Sequence, residues 1–365
     1  MRAEQKIFRD YDIASEALAE QRVLSSKSHF EVLDGLRGVA AIAVMLFHSY
    51  DAQGLFHNAG LAVDLFFLLS GFVIAYSNDD RLQRGMPVGE FLLRRLIRLY
   101  PMILLGGLAG IALAIVQYET NAAYLYSFRQ IVMYGCLTLL LLFYGFNLPL
   151  WSLFFELVAN IFYALFARHL TGSILALVVV IGLLMVGVGG PLNWANKWFF
   201  ALGFARVAAG FFGGVLLYKL WKQGSLPSWN GNFIILSAIL TALFVLPWEI
   251  SGWLFLPAFA VMTTIIVLGI GARPSGQDKY CALLGQVSYP LYALHWPVLY
   301  TLVELERKLG LTAVHYHFAI VAHCFATLMI AYLAMHFYET PARLYLTRKF
   351  APKIKVPSAT IALGH

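Results

Sequence analysis

Residues 33–50 read LDGLRGVAAIAVMLFHSY, an apolar stretch that opens beside an arginine and ends beside a histidine. Arg37 and His48 are eleven positions apart. At 100° per residue they share a helical face to within about 20°, and they stand about 16 Å apart along the axis. One face of a single helix therefore joins a membrane surface to the membrane interior. Hydrocarbon penalises an ionisable group at that depth by several kcal/mol unless a partner or a water-filled cavity receives it. The rest of the chain is read for that partner or cavity.

The composition places this helix among many others. Of 365 residues, 60% are hydrophobic and 12% charged, with a mean hydropathy of +0.73, which is the profile of an all-α polytopic membrane bundle. Apolar runs fall near 36–51, 60–77, 101–118, 130–146, 150–167, 172–190, 203–218, 232–248, 253–271, 283–301 and 317–338. Both ends of the chain are basic, so an even number of crossings is expected. The run at 130–146 is separated from the next by a few residues that include Pro149, and is read as re-entrant or buried within the protein. About ten transmembrane helices remain, with both termini cytoplasmic. That arrangement leaves outside only Arg129, Lys197, Arg206, Arg307 and Lys308 of the 26 lysines and arginines, as the positive-inside rule requires. The chain divides into an N-terminal arm (1–32), a membrane domain (33–342) and a basic tail (343–365). The net charge of +7 thus reports orientation, and nucleic acid is not expected as a partner. The three cysteines, Cys136, Cys281 and Cys324, are isolated and offer neither disulfide nor metal spacing.

Two polar clusters stand out. In the outer half, His48 is joined by Asp64 in GLAVDLFFLLSGF. Ser152, Glu156, Asn160 and Tyr163 form a stripe in WSLFFELVANIFY, and Ser288, Tyr292 and His295 share a face of SYPLYALHWP. Each group has a plainer role available: interhelical hydrogen bonding for the histidines and the stripe, neutralisation of Arg206 for Asp64, interfacial packing for Trp151 and Trp296. Their convergence at one depth favours chemistry. The second cluster, Arg94, Arg95 and Arg98 in FLLRRLIRLYP, lies on the cytoplasmic side ahead of the third span. It suits lipid headgroups or, together with Arg37, a phosphorylated ligand held by paired charge-assisted hydrogen bonds. Ser70 and Gly71 read as close helix packing, and Glu339 in YETP as the partner of a nearby arginine.

These segments, taken in order with the closing YETPAR, resemble the integral-membrane acyltransferase 3 family, whose bacterial members acylate glycans. The resemblance runs from about Leu33 to Pro341. It implies acyl-coenzyme A, acetyl-coenzyme A first, as co-substrate. It further implies a glycan or glycolipid acceptor on the far side of a bacterial inner membrane, and essential roles for Arg37 and His48. No metal is expected; membrane lipid and a second copy of the chain are the other partners considered. Within that scheme Arg37, Arg94, Arg95 and Arg98 would hold the donor's phosphates, and its pantetheine arm would lay the thioester beside His48. Glu156 or Asp64 would orient His48, while His295, Tyr292, Ser288, Ser152 and Asn160 would serve the oxyanion or the acceptor. The rival reading is a proton-coupled transporter or flippase, because intramembrane His, Asp and Glu also build proton relays.

Overall fold

The computed structural model describes residues 30–49, 55–120, 125–190, 198–227, 231–272, 276–309 and 316–350. Most of the expected N-terminal arm, and the tail beyond residue 350, lie outside the described residues. Within them every regular element is helical: α1 (Glu31–His48), α2 (Ala62–Gln83), α3 (Val88–Thr120), α4 (Phe128–Leu139), α5 (Trp151–Phe166), α6 (Gly172–Gly189), α7 (Phe199–Lys222), α8 (Phe233–Phe244), α9 (Phe255–Ile270), α10 (Asp278–Leu309), α11 (Tyr316–Ala334) and α12 (Thr340–Phe350). A π turn over Met335–Glu339 joins the last two.

Among the described residues, seven helical stretches are long and apolar enough to cross a membrane: those containing α2, α3, α5, α6, α7, α9 and α11–α12. Ten is reached only by adding α1, α8 and α10. Two of these fall short through polarity, since α1 carries Glu31, Asp34 and Arg37 in its first two turns and the middle of α10 carries Gln286, Ser288, Tyr292, His295 and two prolines. The third, α8, differs from the span expected at 232–248. Asn232 caps its start by accepting from the Ile234 and Ile235 amides, and the helix stops after 12 residues, about 18 Å against a hydrocarbon thickness of about 30 Å.

The 130–146 segment is also short. A Ser127–Gln130 capping box starts α4, which runs for 12 residues. Leu141 then takes φ 59, and the chain turns back without completing a crossing's length. Buried Asn147 fixes the return by donating Nδ2 to the carbonyls of Gly106 at 3.0 Å and Ala293 at 2.9 Å. The arginine segment expected ahead of the third span is continuous with it: α3 is one helix of 33 residues that passes through Pro101.

The pairing that positions the site is α1 against α10, the most extensive helix contact among the described residues. The two run in the same direction, Arg37 meeting residues 285–288 and His48 meeting His295. Gly38 makes the close approach possible, because a Cβ there would lie 2.5 Å from the Leu284 Cβ and 2.7 Å from its carbonyl oxygen. The α2–α7 contact is equally tight at Gly71, whose Cβ position falls on the Phe211 carbonyl. Gly71 thus takes the expected packing role, while Ser70 turns elsewhere. A Gly38→Leu substitution should force α1 and α10 apart at a cost of about 1–3 kcal/mol, read as a lower melting temperature of the purified protein. An unchanged melting temperature would show that the helices are not locked at this depth.

Candidate active site

Three rungs of side chains connect the paired helices and their neighbour α5. At the first, Arg37 donates Nε to Ser288 Oγ at 2.9 Å and Nη2 to the Gly285 carbonyl at 2.9 Å, and it pairs with Asp34 at 2.9 Å. One turn along α10, the Tyr292 hydroxyl donates to the Pro149 carbonyl at 3.0 Å and meets Ser152 Oγ at 2.8 Å. At the third rung, His48 Nδ1 lies 3.0 Å from the Val44 carbonyl and 3.2 Å from His295 Nε2. His295 Nδ1 lies 3.0 Å from the Leu291 carbonyl.

The hydrogen-bond network assigns the tautomers of this imidazole pair. A carbonyl oxygen only accepts, so each Nδ1 bears its ring's proton. His295 Nε2 is therefore an acceptor, and the His48 Nδ1–H is shared between it and Val44. The His48 Nε2 lone pair is left for the cavity that His48 lines. Trp296 packs edge-on against the His48 ring at 5.1 Å and so helps to hold its plane.

Two cavities flank the middle rung. The larger, about 910 Å³, is lined by Arg37, Arg95, Arg98 and Arg343 and by the carboxylates of Glu31, Asp34, Glu156 and Glu339. It is a chamber of ion pairs. Arg95 Nη2 meets Glu156 Oε1 at 2.9 Å, and Ser70 Oγ donates to the same oxygen at 2.6 Å. Glu339 Oε1 receives Arg98 at 2.7 Å and Arg343 at 3.1 Å; the π turn delivers this buried carboxylate. Arg95 Nε is buried without a hydrogen-bond partner among the described residues.

The smaller cavity, about 360 Å³, is lined by His48, His57, Trp151, Arg206 and Glu249 among others. Buried Asn58 positions one wall, donating Nδ2 to the Leu246 and Trp248 carbonyls and accepting from the Ile250 amide. That clamp sets Glu249 at the rim. The two linings have only Val63 and Tyr292 in common.

Several expected roles are redistributed. Asp64 does not orient His48: it is wholly buried, and both its oxygens are taken by Arg206, which also donates to the Gly60 carbonyl at 3.0 Å. Glu156 does not reach His48 either. It lies one helical turn from Ser152, and Ser152 is already level with Tyr292, so Glu156 arrives at the depth of Arg95. Asn160 spends its amide on the Glu156 carbonyl at 2.8 Å and lines neither cavity. Arg94 also stays off the chamber, pairing at 3.0 Å with Glu90 one turn back on the outer side of α3. Arg95, Arg98, Arg37 and Ser288 do converge on the chamber, and His48 and His295 converge with each other. Ser70, read as a packing residue, lines the larger cavity instead, and no spacing points to Tyr289 and Arg343 of that cavity or to His57 and Glu249 of the smaller. Among the described residues, no three His, Cys, Asp or Glu side chains gather as a metal-ligand set.

An acyltransferase domain model matches residues 30–336 of the sequence. Over 190 residues, 44% of this chain and 96% of the relative, the sequence is 35% identical to "Protein 2 in picA locus" of Rhizobium radiobacter. Over 373 residues it is 23% identical to O-acetyltransferase OatA of Staphylococcus aureus (strain MRSA252), covering 91% of this chain and 60% of that protein. The chain therefore spans about 60% of the length of its OatA relative. No solved structure matches.

The Asp64–Arg206 pair makes a prediction separate from chemistry. Asp64→Ala should destabilise the protein by about 3–5 kcal/mol, because it strands a buried guanidinium. Replacing both partners, D64L with R206M, should restore most of that loss in thermal unfolding. A single substitution without effect on unfolding would contradict the structural assignment.

Proposed function

The chain belongs to the acyltransferase 3 family, and from that membership and the two abutting cavities we propose that it transfers an acyl group, acetyl in the first instance, from acyl-coenzyme A to a glycan hydroxyl. The proposed setting is a bacterial inner membrane crossed ten times, with both termini and the arginine chamber facing the cytoplasm and the His48 cavity facing out. The observation that carries the reading is the contact between a guanidinium-rich chamber and a cavity holding a free imidazole nitrogen. The donor dissolves on one side of the membrane, the acceptor is presented on the other, and one residue pair lies between.

The chamber suits the donor in size and chemistry. Ligand pockets run from about 300 to 1,000 Å³, and Arg37, Arg95, Arg98 and Arg343 each retain N–H donors beyond those given to a carboxylate. Phosphates would share these forks with Glu156 and Glu339, so the pairs hold the arginines in place before the ligand arrives.

In the smaller cavity, His48 Nε2 accepts the proton of the acceptor hydroxyl. The oxygen forms a bond to the acyl carbon, the carbon–sulfur bond breaks, and the leaving thiolate takes back the proton that His48 holds. A cationic His48 is stabilised at Nδ1 by two acceptors, the Val44 carbonyl and His295 Nε2, where a hydrolase uses a carboxylate. Transfer through an acyl-imidazole on Nε2 would use the same lone pair.

His48→Ala should lower acyl transfer by about 10²–10⁴-fold, the usual contribution of a general base. The rise in melting temperature on adding acetyl-coenzyme A should persist, since binding to the native state is retained. Arg95→Gln and Arg98→Gln should reduce that rise instead. Full transfer by well-folded His48→Ala protein would remove the proposal.

A further inference from the structure

The larger cavity does not include His48, and the smaller one includes none of Arg37, Arg95 or Arg98. An acyl group held in the larger cavity therefore has to pass the wall between the two cavities to reach the imidazole. Val63 and Tyr292 line both cavities and so belong to the wall between them.

Tyr292 is built as a held side chain. It is 5% exposed, and its ring meets Phe66 edge-on at 5.4 Å and His295 at 5.9 Å. Its hydroxyl is fixed by two bonds to one short stretch, the Pro149 carbonyl and Ser152 Oγ. That stretch is the 3₁₀ turn Leu148–Leu150 and the start of α5. Val63 is a smaller aliphatic side chain with no polar group to add. Of the two shared residues, only the tyrosine has a polar anchor, and its hydroxyl fastens it to the start of α5.

We propose that Tyr292 is a latched partition between the donor chamber and the His48 cavity, and that its ring limits the size of acyl group that reaches His48. The acyl-size part rests on the proposed transferase reading and the labelling test on the proposed orientation; the partition itself rests on neither. When latched, the ring keeps water and the outer face away from the chamber. When the two hydroxyl bonds break and the ring turns, the chambers join. No covalent bond of the protein changes.

The test uses the full chain in sealed vesicles of uniform orientation, carrying L153C as a reporter in the larger cavity, which Leu153 lines. A small, charged, membrane-impermeant methanethiosulfonate is added from the His48 side, and modification at position 153 is read by mass spectrometry. With Tyr292 intact, modification from that side should be at background. With Tyr292→Ala it should rise at least tenfold. Tyr292→Phe, which keeps the ring and removes the latch, should give an intermediate rise and decides the matter if the alanine variant fails to fold. Labelling through intact Tyr292, or no rise in the folded variants, would overturn the partition.

A second readout addresses acyl size. The ratio of butyryl to acetyl transfer, measured with the two coenzyme A thioesters in competition, should rise at least tenfold in Tyr292→Ala. An unchanged ratio would overturn the size limit and leave the labelling result standing. Absence of any transfer by the unsubstituted protein would instead count against the transferase reading.

Discussion

Inside a bilayer no water is at hand to satisfy a polar group, so each one must find its partner in protein or in a protein-lined cavity. The α1–α10 pair is where that constraint is concentrated. Arg37 and His48 on one helix meet Ser288 and His295 on the other, each histidine is also answered by a carbonyl one turn back, and Tyr292 between them is answered by Pro149 and Ser152 at the start of α5. Gly38 lets the backbones come close enough for short side chains such as Ser288 to reach. The same constraint explains why α1 and α10 fall outside the set of helices apolar enough to span by composition. Their polar residues face a neighbour or a cavity rather than lipid, so hydropathy understates how well they are housed.

The charged groups are divided by function. Asp64 and Arg206 are committed to each other beside the smaller cavity, and a buried pair of this kind matters chiefly because losing one partner is so costly. The larger chamber balances four guanidinium groups with four carboxylates. Such a chamber can stay folded when empty and still offer N–H donors to an anion. Glu156 and Glu339 are thus better described as holders of arginine than as partners of histidine. His48 has a carbonyl and a second imidazole at Nδ1 instead, and the carboxylate in the lining of its cavity is Glu249, held at the rim by the Asn58 clamp.

Much of this was legible in the sequence. The helical face shared by Arg37 and His48, the depth common to His48 and His295, the convergence of Arg95 and Arg98, and the inability of 130–146 to behave as an ordinary span all follow from spacing and polarity. What could not be read was which neighbour each face meets. Spacing fixes residues within one helix, but which residue stands level with which on a neighbouring helix is set by tertiary packing, so Glu156, expected near His48, lies a turn away beside Arg95. Arg94 was lost to Glu90, a local i,i+4 competitor. Arg343 and Glu339 joined the chamber through a π turn that spacing arguments based on 3.6 residues do not foresee. The partition at Tyr292 depends on Pro149 and Ser152, far away in sequence, and no single-helix pattern signals it.

The central claim is that the donor occupies the arginine chamber with its acyl end toward Tyr292. An experimental density map of the full chain with a thioether analogue of acetyl-coenzyme A, which binds but cannot transfer, tests it most directly. The account predicts phosphate density against Arg95, Arg98, Arg343 and Arg37, with the acyl end running to the Val63–Tyr292 wall. Density for the analogue at the lipid-facing surface, or in the His48 cavity with the chamber empty, would contradict it.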